Sequence, residues 1–431
     1  MGDTNATRTQ LLAVFKEVYG EKIAEQPNRT AWIYNFFDKS PKKFGGKYWT
    51  EPLLDEGGQA IMSANEDEAM GDAQAESTKE IQIKPRQHYG LIRISGLAIA
   101  ASKSNLYAFV QAKDFEIKNK TKSLIAQLNA QFYGPGTGAL ATVLSFATPT
   151  VTLDLTNSNT RPCNMNWFRK GLRVDVWTAG FAARRNYGDT TTKSVGFKIS
   201  SYDKVAGTVS LTIGNGNVAV AASAIAVTDI IAFEDAQLTG TWAPTDTAGK
   251  QILGLDSLID DVTNGPQTIQ NIDRNVYTIF RANCMRGGVP GTARPLSLDL
   301  IQEAIDRSEN ESGEVADFIV GGFGQRRNYL NLLWYDVRYG PQKLIGGFET
   351  LKYNQLDWVV DKDCTRGRLY VGTQEHLKKY VVAPLGILDQ AGAQMERQPK
   401  TDLYELMIGT YMNLGHDRPN SWTKVVDLIE P

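Results

Sequence analysis

From Ser104 to Phe132 the sequence SNLYAFVQAKDFEIKNKTKSLIAQLNAQF keeps one helical period and then breaks into glycine. Leu106, Val110, Ile117, Leu124, Leu128 and Phe132, with Phe109 and Ile125 beside them, mark one face. Lys113, Asp114, Lys118, Lys120 and Lys122 fall largely elsewhere. At about 1.5 Å per residue such a helix is about 43 Å long, a spine about which the rest of the chain has to be arranged. Gly134, Gly136 and Gly138 follow it. Glycine loops cradle phosphates when they precede a helix, because their amides and the positive helix N-terminus then face the anion. These glycines come where unsatisfied carbonyls collect and the dipole is negative. The lysine and hydroxyl residue of a phosphate loop are also missing, so the glycines are expected to cap the helix and reverse the chain.

A chain of 431 residues can build two or three domains at roughly 150 residues each. Its 46 basic and 48 acidic residues leave a formal charge of −2, so no global field attracts nucleic acid or an anionic membrane. Cys163, Cys284 and Cys364 are too few and too widely spaced for a disulfide framework or a zinc site, and read as buried free thiols in a reducing cytoplasm. The most apolar run, Val218 to Val227, is ten residues broken by Ser223, short of the roughly 18 to 20 that span a bilayer. The opening MGDTNATRTQ has no basic-then-apolar signal, and Ala6 departs from the myristoylation pattern. Neither an export signal nor an anchor is expected.

Residues 8–25 set Leu11, Phe15 and Val18, and Leu12, Tyr19 and Ile23, at helical intervals, which predicts an amphipathic N-terminal helix able to dock as an arm. From Pro41 to about Gln82, two Gly-Gly pairs and few apolar periods leave nothing from which to build a compact core. Glu66, Asp67, Glu68, Asp72 and Glu76 there are five acids with no base among them, and a solvated face is the plain reading. Even so, a coreless excursion of that length inside a compact domain is usually functional or disordered. Ile81 to Ala100, IQIKPRQHYGLIRISGLAIA, alternates and predicts one or two strands leading back to a core.

Short alternating runs between Trp167 and Asp235, among them LRVDVWTAG, SVGFKISSYD and GTVSLTIGNGN, predict a small antiparallel barrel or sandwich over about 162–237. Gly214-Asn215-Gly216-Asn217 suits a hairpin tip. Trp167, Phe168, Trp177 and Tyr187 with a slight basic excess raise a single-strand-binding barrel as one reading; aromatics filling an ordinary core are the simpler one. Ser297 can cap a helix carrying Leu298, Ile301 and Ile305. The run VADFIV leads into GGFGQRRNYLNLL, the strand, glycine, helix order of a dinucleotide site, but Arg327 stands where the third glycine belongs. GGFETLKY, WVVD and GRLYVG predict closing strands.

Chemistry-bearing constellations are sparse. His88, His376 and His416 are scattered, with no H-E-x-x-H and no G-x-S-x-G elbow. The pairs Asp260 with Asp261 and Asp361 with Asp363 could bind a cation, yet isolated acidic pairs in polar loops are expected to be merely solvated. No catalytic residue, cofactor or metal is expected, and the chain reads as a non-enzyme.

The order of parts is arm, long loop, returning strands, spine helix, glycine break, large mixed domain with a β insertion, and strand-rich return. It resembles the major capsid proteins of tailed bacteriophages, the Hong Kong 97-type fold. A local text carries the same resemblance: GLDSLIDDVTNGPQTIQNIDRNVYTIFRANC, Gly254 to Cys284, is similar to a stretch in such proteins where "GLD" and "DD" precede "GIDR", aromatics and "RA". Asn271 stands where the family often has glycine, and Tyr277 and Phe280 take the aromatic positions.

The resemblance implies an α+β chain with an N-terminal arm at 1–40, an extended loop at 41–88 and a peripheral domain with the spine helix at 89–134. An axial domain at 135–399 would hold the β-barrel or sandwich inserted at 162–237, and 400–431 would return to the periphery. It implies self-assembly into hexamers and pentamers of an icosahedral head enclosing double-stranded DNA, in a virion built in the host cytoplasm. Expected partners are a separate scaffolding protein, a portal protein at one vertex and a cement or decoration protein, with packaged DNA touched weakly and no membrane. The arm begins almost at Met1, so a fused scaffolding region is not expected, and a protease encoded elsewhere is. Subunit contacts are expected at Trp49, Glu66, Asp67, Glu68, Lys118, Lys120 and Lys122. The alternatives are an encapsulin-like shell around protein cargo, whose members are usually shorter, and a nucleic-acid-binding module.

Overall fold

The computed structural model describes residues 32–56, 63, 66, 75–97, 112–155, 163–185, 196–213, 218–219, 225–236, 250–263, 266–287, 292–336, 351–354, 356–388 and 396–430. The helix expected over 8–25, the first residues of the spine helix and the hairpin tip at 214–217 lie outside them.

A short helix α1 (Trp32–Phe36) buries Ile33 and is followed by the buried Phe37. Strands β1 (Trp49–Glu56) and β2 (Ser77–Ile83) pair antiparallel as a ribbon, from Trp49 opposite Ile83 to Glu56 opposite Ser77. The segment expected to lack a core therefore has one at its foot, where Trp49, Ile81 and Ile83 are buried. Pro52 and the flanking acids hide the alternation of β1. Farther out Ser77 to Glu80 are all exposed and Leu54 is half exposed, so the distal ribbon has no core of its own. Strand β3 (Arg86–Ser95) alternates exposed and buried residues as its sequence predicts. Helix α2 (Ala112–Tyr133) carries the spine, with Leu124, Leu128 and Phe132 buried at spacings of four.

Beyond the glycines come β4 (Ala139–Ala147), β5 (Thr150–Asp154), β6 (Arg173–Trp177), β7 (Arg184–Arg185), β8 (Phe197–Asp203), β9 (Thr208–Ile213), β10 (Val218–Ala219) and β11 (Ile230–Phe233). Six of them close a ring in the order β4, β5, β9, β8, β6, β11 and back to β4, every pairing antiparallel. Closure removes the free edges that an open sheet would present. Val151, Leu153, Val174, Ile199, Val209 and Leu211 are all buried in it. The ring begins at Ala139, well before the boundary near 162 expected from the sequence, because β4 and β5 join β11 to β9.

The text after the barrel forms α3 (Leu255–Leu258), a tight pair β12 (Thr268–Ile269) and β13 (Ile272–Asp273), and β14 (Asn283–Met285). Helix α4 (Leu298–Ser312) starts where Ser297 accepts the Leu300 N–H at 3.1 Å and stops at Gly313, whose φ of 72° only glycine adopts at little cost. Strand β15 (Phe318–Gly321), helix α5 (Phe323–Asp336), β16 (Leu351–Tyr353), β17 (Leu356–Val360) and β18 (Leu369–Gly372) follow. The chain ends with β19 (Leu377–Ile387), β20 (Glu396–Arg397), β21 (Leu403–His416) and β22 (Trp422–Val425). A six-stranded mixed sheet runs β14, β22, β18, β15, β17, β16. Ile301, Ala304 and Ile305 of α4 pack on it against Ile319, Trp358, Leu369, Val371 and Val425. A second sheet orders β19, β21, β20, with β3 also pairing with β21.

The chain divides into two compact units, residues 1–30 with 90–124 and 387–408, and residues 31–89 with 125–386 and 409–431. Ribbon, barrel and six-stranded sheet all belong to the second. Among the described residues no helix is long and apolar enough to cross a membrane.

Candidate functional site

Of the residues expected between subunits, Glu66 is exposed in a turn, whereas Asp67 and Glu68 lie outside the described residues. Lys118, Lys120 and Lys122 are exposed on α2. Lys118 and Lys122 share a face one turn apart, whereas Lys120 projects from another, its Cγ 3.3 Å from where a Cβ on Gly90 would sit. Trp49 is 4% exposed, its ring between Phe44 and Tyr380 and its Nε1 donating to the Lys42 carbonyl at 3.3 Å. It anchors the ribbon's foot inside its own chain.

Neither glycine loop is open to a phosphate in the way a nucleotide site requires. After α2 the Gly134 N–H donates to the Gln131 carbonyl at 2.9 Å, and Gly136 and Gly138 take φ of 77° and 78° to turn the chain. Before α5, the strand, glycine, helix order is real. There Gly324 faces the side chain of Glu430, which a Cβ would strike. The same carboxylate accepts the Gly367 N–H at 2.8 Å and sits 3.9 Å from Arg366. The side-chain carboxylate of Glu430 occupies the place where a ligand phosphate would have to enter.

The stretch from Gly254 to Cys284 builds a buried ionic centre, which corrects the expectation that Asp260 and Asp261 are solvated. Lys424, 1% exposed, donates to Asp260 Oδ2 at 2.6 Å, Asp256 Oδ1 at 3.2 Å and the Asp256 carbonyl at 3.0 Å. Arg368 pairs with Asp256. Arg286 reaches Asp260 at 3.1 Å and forks onto Asp261. Arg274, fully buried, donates to the carbonyls of Leu258, Asp260 and Ser257 at 2.8, 3.0 and 3.2 Å. Burial pulls its pKa down to about 10, although Asp260 and Asp261 favour the charge. Burial opposes ionisation of Asp261, but the hydrogen bond from Arg286 wins and holds its carboxyl below the usual range.

Asp260, Asp261 and Cys284 bring three metal-capable atoms within 4.8 Å of one another. The carboxylates are already neutralised by Arg286 and Lys424, and burial pushes the Cys284 thiol up to about 12, so the arrangement is a salt-bridged core that does not call for a metal.

A second correction concerns Asp361 and Asp363, which are 3% and 0% exposed. Asn129 of α2 donates to both, at 3.2 and 2.7 Å, and Tyr133 donates to Asp361 at 3.2 Å. Asn164 donates to the carbonyls of Lys362 and Cys364, and Trp167 to that of Asp363. These bonds staple the 361–365 loop to the last turns of α2. Burial, then the neighbouring Asp361, pushes Asp363 up to about 6.

Three further groups are held uncharged by burial. Burial pushes Cys163 up to about 12, and pulls His88 down to about 4 and His416 down to about 3. His376 differs. Its Nδ1 lies 2.9 Å from Asp417 and its Nε2 2.6 Å from Glu314, which also pairs with Arg418. The Asp417 hydrogen bond, against burial and with help from Glu314, raises its pKa. This clamp ties the end of α4 to the turn after β21. Sequence reasoning missed it because its acids come from separate elements.

No protein-family model and no curated protein matches the sequence. Solved structures do match. A chain of the cyanophage A-1(L) capsid asymmetric unit superposes with a TM-score of 0.60 at 11% identity, over 98% of this chain and 99% of that one. A chain from the capsid of a native GTA particle gives 0.51 at 7% identity, over 99% and 100%. With its few helices and several sheets aligned end to end on these subunits, the chain has the fold of phage capsid proteins.

Proposed function

We propose that this chain is the major capsid protein of a tailed phage, assembling as hexamers and pentamers into an icosahedral head around double-stranded DNA. The end-to-end match to the cyanophage capsid chain, with no large part of either left over, carries this reading. In it the chain follows the Hong Kong 97-type plan. Residues 1–40 are the arm, 41–88 the extended loop, 89–134 the peripheral domain, 135–399 the axial domain with its β insertion, and 400–431 the return. The ribbon of β1 and β2 suits a loop that reaches over a neighbour, because its foot is anchored at Trp49 while its distal half exposes Leu54 and Ser77 to Glu80. A second copy supplies what such a ribbon cannot bury alone. Glu66, Asp67 and Glu68 then meet some of Lys118, Lys120 and Lys122 of that copy.

The near-neutral charge of −2 suits a lining over which DNA slides, since tight phosphate binding needs many clustered cations. Assembly uses a separate scaffolding protein and a portal at one vertex, with a cement protein as a further partner. The test is electron microscopy of the protein expressed with a scaffolding protein: closed shells are expected, and persistent monomers at micromolar concentration would remove the proposal.

A further inference from the structure

We infer that the glycine break after α2 holds a site for one water molecule, bound between the side-chain amides of Gln131 and Gln251. Gln131 lies in the last turn of α2 and Gln251 on the segment that returns from the barrel, and they are 3% and 7% exposed. Each buries one polar atom that has no hydrogen-bond partner among the described residues, Nε2 of Gln131 and Oε1 of Gln251. The Ile252 N–H approaches Oε1 of Gln131 at 3.5 Å, which orients that amide and leaves Nε2 as the unspent donor. Both residues line one small cavity of about 10 Å³, together with Gly134, Gly138, Trp167 and Phe233.

The two orphaned atoms select the occupant. One donates and the other accepts, so a cation would suit Oε1 and be repelled by the N–H, and an anion would do the reverse. A neutral molecule that both accepts and donates satisfies them together. The space admits one molecule of water's size, for which roughly 10–15 Å³ is enough. Trp167 does not compete, because its Nε1 is committed to the Asp363 carbonyl at 2.9 Å. Glycine lets the chain pass this close to the site: a Cβ on Gly138 would strike Ala236 Cβ and come 3.0 Å from Gln251 Cγ. The glycines that could not cradle a phosphate thus wall a water site, and through it the end of the spine helix is tied to the returning chain. The inference is independent of the capsid reading.

Density at a resolution that shows ordered water, from crystals of the protein or from its shells, tests it without any variant. A single peak within hydrogen-bond distance of Gln131 Nε2 and Gln251 Oε1 is expected. An empty site, or the two amides bonded directly to each other, overturns the inference. Thermal unfolding of Gln131→Met, Gln251→Met and the double variant gives an independent readout. Each single change strands the partner's amide, so the double variant is expected to lose less in midpoint than the two singles added together. Strictly additive losses would show that the two amides share nothing.

Discussion

The backbone of Gly254 lies so close to the carbonyl oxygen of Gln131 that a Cβ at residue 254 would overlap it and the backbone of Gly134. The φ of Gly254 is −87°, an ordinary value, so glycine is required here by contact and not by conformation. The first residue of the "GLD" stretch is therefore where the ionic centre is pressed against the end of the spine helix. Gly254→Ala is expected to cost at least the roughly 1–3 kcal/mol of an overpacked site, since the struck atoms are backbone and cannot rotate away. Gly171→Ala provides the comparison, because a Cβ there meets nothing within 4 Å and only its φ of 87° is strained. Chemical denaturation of the two variants would decide the matter, and equal losses would mean that the close approach is not limiting.

Asn271 and Gln270 both have positive φ, 69° and 51°, in the two-residue turn joining β12 to β13. Such a turn favours glycine, then asparagine, at its second position. Asn271→Gly is expected to be nearly neutral, because glycine's freedom from strain at positive φ is offset by its greater unfolded-state entropy, whereas Asn271→Val, whose branched side chain resists positive φ, is expected to destabilise by more than about 1 kcal/mol. Midpoints in urea would report both, and a valine variant as stable as the parent would contradict the turn.

How much of this was legible follows from where each interaction finds its partner. The spine is legible because Leu124, Leu128 and Phe132 repeat at four residues within one helix, and the Ser297 cap because its partner Leu300 is three residues on. The burial of Asp260 and Asp261 is not legible, because the cations that permit it stand 25 residues away at Arg286 and 164 away at Lys424. The ring of strands was cut short for a similar reason. β4 and β5 lie before the alternating runs that begin near Trp167, and only their pairing with β11 and β9 places them in the barrel. The GLD stretch carried the resemblance to capsid proteins, yet its physical role appears only when Arg368 and Lys424 are brought against it.

His376 sets a pH dependence whose sign is fixed by its partners. Its pKa is raised above 6.5 by Asp417 and Glu314, with Arg418 also on Glu314 and Lys378 near Asp417. A histidine with a raised folded-state pKa contributes stability that is fully present below its unfolded value and is lost as pH rises through the folded one. The stability difference between the parent and His376→Gln is therefore expected to be largest below about pH 6.5 and to shrink on the alkaline side. A difference that grows with pH would show that the imidazolium is not what the clamp holds.

The proposed contact between the loop acids and a neighbour's spine helix predicts a charge-reversal pattern. Exposed single pairs contribute about 0–1 kcal/mol, so one substitution among Glu66, Asp67 and Glu68 is expected to be nearly silent. Changing all three to lysine places like charges at every copy of the contact and is expected to leave the monomer's circular dichroism unchanged while lowering the yield of shells. Reversing Lys118, Lys120 and Lys122 to glutamate in the same chain is expected to restore part of that yield. Normal assembly of the triple variant across a range of salt would reduce these acids to a solvated face.

The closed ring makes a prediction about autonomy. A fragment of residues 162–237 keeps β6 to β11 but loses β4 and β5, so β11 and β9 each lose a partner and the ring opens. Unpaired edges and an uncovered apolar face then leave too little buried surface to offset the entropy of ordering the chain. A fragment of residues 139–236 retains all six ring strands, each hydrogen-bonded on both sides. The longer fragment is expected to unfold in one cooperative thermal transition and the shorter one to melt without a transition. Cooperative melting of the shorter fragment would mean that β4 and β5 are appended to a module already complete, and that the boundary near 162 read from the sequence is the true one.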